Sequence, residues 1–141
     1  MKKSLVLMMI VLALALVACG GGDSDDSGSS DSGAAASGPS ASHGEELYNQ
    51  TTIGPASAPG CVTCHSLEAD VVIVGPSHNG VGTRAGTYED GVSAEDYLHT
   101  SIMEPDAHLV EGFAAGIMYQ NYADELDQSD IDDLVAFLMT Q

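Results

Sequence analysis

The chain has 141 residues, with 3 Lys and Arg against 21 Asp and Glu and a formal net charge of −18 at pH 7. A field of that sign and size repels phosphate backbones and anionic bilayer surfaces, which excludes a nucleic-acid binder. It steers a basic docking face toward the protein, at a rate that falls as salt rises, or it reflects the acidic habit of a salt-adapted proteome.

Lys2 and Lys3 open the chain, and Leu5 to Val17 follow as thirteen apolar residues. That run is too short to span a bilayer comfortably and has the length of an export-signal core. It ends Leu16-Val17-Ala18-Cys19, which resembles a bacterial lipobox, where the cysteine becomes the first residue after cleavage and carries lipid. Residues 1–18 are therefore expected to be a lipoprotein signal peptide. Cys19 would hold the protein on the outer face of the cell membrane, periplasmic or extracellular. An ordinary signal peptide or a short anchor with an incidental cysteine is the plainer alternative. Lipidation also accounts for the odd one of three cysteines, otherwise a lone thiol in an oxidising compartment. Cleavage would remove Lys2 and Lys3 and leave Arg84 as the one Lys or Arg.

Residues 20–41 hold only Gly, Ser, Asp and Ala with one Pro, too little apolar surface to order themselves. With Cys19 they read as a lipidated flexible tether over 19–41, spanning roughly 25 Å r.m.s.. Asp23, Asp25, Asp26 and Asp31 would extend it by self-repulsion. The globular domain is then 42–141, small enough for a large cofactor to form much of its core.

Ser42-x-x-Glu45 is a capping box and predicts a helix over about 43–50. Thr51 to Gly60, with two Pro and two Gly, reads as loop. Cys61-Val62-Thr63-Cys64-His65 follows, the c-type haem attachment pattern. Each thiol adds across one haem vinyl group to form a thioether, and the two-residue gap lets both sulfurs reach one edge of the ring. His65 then lies under the iron and can bind it through Nε2. Cys-x-x-Cys alone would also fit a redox disulfide or half a zinc site, and the adjoining histidine narrows it. Val71 to Val74 is a four-residue apolar run with no second strand pattern to pair with, read as an extended segment packed on the haem. Gly75 to Gly91 reads as glycine-rich loop. Ser93-x-x-Asp96 caps a helix over about 94–103 that stops before Pro105. Leu109 to Asn121 reads as loop. Ser129-x-x-Asp132 caps a last helix over about 130–140, with Ile131, Leu134, Val135 and Leu138 on one face. No internal repeat is visible.

Taken together, residues 42–141 resemble a class I cytochrome c. Gly44-x-x-x-Tyr48 resembles its first helix, whose glycine allows a close crossing of the last, and Leu134-x-x-Phe137 resembles the matching partner. Gly75-Pro76 resembles the turn whose proline carbonyl accepts the proximal imidazole N–H. Gly82-Thr83-Arg84-Ala85-Gly86 resembles the loop in which an arginine holds a haem propionate. Tyr97-Leu98-x-x-Ser101-Ile102, Pro105 and Val110-Glu111-Gly112-Phe113 resemble the approach to an axial methionine, which places Met118 as sixth ligand. Tyr119 stands where the family has proline, and Met103 and Met139 are the other candidates after Cys19. His43, His78, His99 and His108 read as surface histidines, with a bis-His site through one of them as the alternative. The acidic cluster from Asp124 to Asp133 reads as a solvated helix face or a docking patch.

The resemblance implies an all-α fold of about three to five helices around one covalently bound haem c, with the N- and C-terminal helices crossing. Cys61 and Cys64 would bind the haem covalently, His65 and Met118 the iron, and Pro76 and Arg84 would support them. The implied role is one-electron transfer in a respiratory or photosynthetic chain by an anchored carrier, not an enzyme, between redox-protein donor and acceptor. The alternative is a fixed cytochrome c subunit of a membrane redox complex such as alternative complex III. A haem sensor or peroxidase-like enzyme with an open iron is the remaining reading.

Overall fold

A computed structural model describes residues 38–141. The expected signal peptide, Cys19 and most of the expected 19–41 tether lie outside the described residues. Among the described residues, five helices and one two-stranded hairpin make up the fold: α1 (Ala41–Tyr48), β1 (Thr52–Ile53), β2 (Ala58–Pro59), α2 (Val81–Arg84), α3 (Ala94–Met103), α4 (Tyr122–Glu125) and α5 (Gln128–Leu138). Single 3₁₀ turns sit at Cys61–Thr63 and Ala85–Thr87. The architecture is mostly helical, as expected, with the hairpin as an addition.

Helix α1 begins two residues earlier than the capping box predicts. Its cap is Ser40, whose side chain accepts from the His43 backbone N–H. The same shift occurs at α5, capped by Asp127 accepting from Asp130 N rather than by Ser129. Helix α3 runs 94–103 as expected, with Ser93 accepting from Asp96 N. Ile131, Leu134, Val135 and Leu138 are all buried, so the apolar face of α5 is the floor of the core. There it meets Leu47 and Tyr48 of α1 and Leu98 and Ile102 of α3.

Helices α1 and α5 approach at Gly44. A Cβ built on Gly44 would overlap the main-chain carbonyl of Asp133 and come within 2.9 Å of Phe137 Cβ. Asp133 fastens the same contact from the side. Its carboxylate accepts from Ser40 N and lies 2.8 Å from His43 Nδ1. The hydrogen bond to Asp133 raises the His43 pKa above its ordinary 6.5, against slight desolvation and with help from Asp130 and Glu46. A raised folded-state pKa means the pair contributes fully below about 6.5 and loses its contribution as pH rises through the folded value. The thermal midpoint of the native chain is thus expected to fall relative to His43→Gln between pH 5 and pH 8. His43 is 47% exposed, which keeps the difference within the about 0–1 kcal/mol of surface pairs. Parallel melting curves across that range would refute the tie.

The hairpin replaces the predicted 51–60 loop. Thr52 pairs with Pro59 and Ile53 with Ala58, and Gly54 turns the chain at φ 72°. Its tip rests on Glu125, which accepts from Ala56 N at 2.9 Å. Of the Val71 to Val74 run, Val71, Val72 and Ile73 are exposed rather than packed inward, at 38%, 61% and 52%, while Val74, at 48%, also lines the cavity described below. The reason is local: the Cys64 carbonyl accepts from both Val74 N and Gly75 N, which folds the chain back and leaves the intervening side chains outside.

Candidate functional site

The 3₁₀ turn presents the paired cysteines. Cys64 N and His65 N both donate to the Cys61 carbonyl, at 3.1 and 2.9 Å, and Thr63 Oγ1 closes the turn on Gly60 O at 2.6 Å. Both cysteines are free thiols on one wall of a largely apolar cavity. Burial, reinforced by Cys64, pushes the Cys61 thiol up to about 11. Addition across a vinyl group would bond the sulfur to one carbon and put a proton on the other.

His65 lines the same cavity. Its Nδ1 lies 2.8 Å from the Pro76 carbonyl. A carbonyl only accepts, so Nδ1 carries the proton and Nε2 keeps a lone pair for a metal. Burial lowers the His65 pKa despite that hydrogen bond, which holds the ring neutral as ligation requires. Gly75 is shaped to this ring, since a Cβ there would run into His65 Cε1 and Nδ1. From behind, Tyr48 Oη donates to the His65 carbonyl at 3.3 Å and ties the turn to α1.

Met118 reaches the cavity from the 109–121 loop, whereas Met103 and Met139 are not among its lining residues. Tyr119 Oη donates to Glu125 Oε1 at 3.1 Å, and Glu125 Oε2 holds the hairpin tip. Glu125 thus joins the Met118 loop to the hairpin. The sequence offered it only as one of an acidic cluster.

Arg84 also lines the cavity, but it is already engaged. Its Nη2 donates to Ser77 O at 2.8 Å, Nη1 to Asn79 O, and Nε to Tyr88 Oη at 3.2 Å. Three of five N–H donors are used in folding the 77–88 loop, and two remain for an anionic ligand group.

Two histidines read as surface residues are not. His108 pairs with Glu89 at 2.7 Å and stacks on Tyr97. His78 lies against His65, with ring centroids 4.0 Å apart and planes 14° from parallel. Burial, with His65 and Arg84 nearby, holds the His78 pKa down at about 3.

The cavity runs from the Cys61–His65 turn to the Met118 loop, and its exposed wall is mainly apolar. A long apolar wall suits a macrocycle rather than a bare ion. The donors fit one: two reduced thiols, a neutral imidazole with a free Nε2 lone pair, and a thioether. Protein-family comparison matches residues 41–141 to the family described as Cytochrome c. No curated protein and no solved structure gives a match. The matched span takes in every element of the described fold, and by it the chain belongs to the cytochrome c family.

Proposed function

We propose that this protein is a membrane-anchored monohaem cytochrome c that carries single electrons in a respiratory or photosynthetic chain, with His65 and Met118 as axial ligands. Family membership supplies the coarser part, electron transfer by a protein with covalently bound haem c. The observation that carries the finer reading is the convergence of Cys61, Cys64, His65 and Met118 on one cavity, with His65 Nδ1 held by Pro76.

When bound, the haem supplies a one-electron ferric/ferrous couple. The chain does the rest. Cys61 and Cys64 anchor the ring. Pro76 holds the proton on Nδ1, which orients the imidazole and makes its other nitrogen a stronger donor. Met118 would supply the second protein ligand, a thioether that would raise the potential over a second imidazole. The free donors of Arg84 would hold a propionate. With both ligands in place no position would be left for substrate, so the role is carriage rather than catalysis.

A lipid on Cys19 and the 19–41 tether would keep the domain at the outer membrane face, at high effective concentration near its partners. Donor and acceptor would present basic docking faces to a chain whose net charge of −18 becomes −20 once Lys2 and Lys3 are cleaved away. One observation favours a fixed subunit of a membrane complex: Val71 to Ile73 form an exposed apolar run. Co-purification with integral subunits in mild detergent supports that form, and a monodisperse free lipoprotein supports the carrier.

A pyridine haemochrome assay tests the core of the reading. The native chain is expected to give one covalently bound haem per polypeptide, and the Cys61→Ser, Cys64→Ser double variant to release its haem into acidified organic solvent. A native protein without covalent haem refutes it.

A further inference from the structure

We infer that His78 is a positioning residue for the axial imidazole, its stacked ring fixing the plane of His65 and biasing the iron toward the ferric state. This rests on the reading of His65 as a haem ligand.

The His78 ring is packed between His65, at 4.0 Å and 14°, and Tyr48, at 5.7 Å and 54°. Its backbone is pinned at both ends, His78 N donating to Ser66 O at 2.7 Å and Val81 N to His78 O at 3.0 Å. Its Nδ1 is buried and has no hydrogen-bond partner among the described residues. A leucine would fill a similar space without stranding a polar atom, so packing does not account for an imidazole there. The near-parallel ring face does. Pro76 holds His65 at one edge atom and the Gly75 backbone crowds Cε1 and Nδ1, and neither supplies a flat partner for the ring. A flat neighbour against the ring face fixes its tilt.

The same contact bears on the couple. Oxidation adds a positive charge at the iron, shared through Nε2 with the His65 ring. A polarisable ring against it stabilises that charge better than an aliphatic side chain does, and so lowers the potential.

Two variants of the full holoprotein test this at one fixed pH, His78→Leu and His78→Phe, by redox titration and by electron paramagnetic resonance of the ferric form. His78→Leu is expected to shift the ferric/ferrous ratio at fixed ambient potential about threefold toward ferrous, about 28 mV upward for one electron. Its resonance g-values, which report the axial ring plane, are expected to move. His78→Phe keeps a ring face and is expected to keep the native g-values. A His78→Leu protein with native potential and g-values overturns the proposal, whatever its stability. So does a His78→Phe protein whose g-values shift as far as those of His78→Leu. If His78→Leu takes up no haem, the g-values of His78→Phe decide alone. A native chain that binds no covalent haem refutes the functional reading instead.

Discussion

Replacing Gly44 with alanine is expected to lower the thermal midpoint by about 10 °C. The added Cβ meets the Asp133 carbonyl, a main-chain group in the middle of α5 that has no rotamer to escape into. Overpacking typically costs about 1–3 kcal/mol, and contact with backbone belongs at the upper end. Alanine gains about 0.5–1 kcal/mol over glycine inside a helix, which offsets part of it. The remaining loss of about 2 kcal/mol corresponds to roughly 8–16 °C in a domain of this size. Gly44→Val forfeits the helix-propensity gain and adds bulk, so it falls further. Melting curves that leave Gly44→Ala at the native midpoint would mean that α1 and α5 do not meet at this residue.

Gly44 was legible through the family resemblance, because Gly44-x-x-x-Tyr48 is similar to a first helix whose glycine allows a close crossing of the last. The apolar face of α5 was legible without it: four residues at helical spacing admit one burial. Helix α3 was readable to the residue because Ser93 and Pro105 bracket it without competitors.

The termini of α1 and α5 were harder. Each offers two cap acceptors two residues apart, Ser40 against Ser42 and Asp127 against Ser129. Local chemistry does not choose between them. At α1 a long-range partner does, since Asp133 takes Ser40 N and fixes the chain there. The hairpin was invisible because strands of two residues show no alternation, and the Pro and Gly around it speak only for a turn. Val71 to Ile73 misled for a different reason. Hydropathy reports what would gain from burial, whereas the double hydrogen bond to the Cys64 carbonyl decides where the segment points.

At the site, residues with a required spacing were readable and residues serving through contact were not. Cys61, Cys64 and His65 announce themselves by chemistry that permits one spacing. His78 looks like any exposed histidine in a polar loop. The signal that could have found it is its place two residues after Pro76: a carbonyl that reaches the His65 ring draws its successors to the same ring. Glu125 was hidden among acidic neighbours, and only the fold shows that one carboxylate joins the hairpin to Tyr119.

Replacing Met118 with alanine is expected to open the iron. The ferrous variant should bind carbon monoxide on mixing, and its potential should fall, because thioether ligation is what raises it. Met103→Ala is expected to behave as the native chain, since Met103 is no part of the cavity wall. Met118→His should close the sixth position again at a lower potential than native. Tyr119→Phe separates ligand from loop. It keeps Met118 and removes the hydrogen bond to Glu125, so the loop should open more often than in the native chain. Carbon monoxide binding to Tyr119→Phe should therefore be measurable yet far slower than to Met118→Ala. Binding that appears in Met103→Ala and not in Met118→Ala would move the sixth ligand to the end of α3. Tyr119→Phe indistinguishable from native would show that Glu125 braces the hairpin alone.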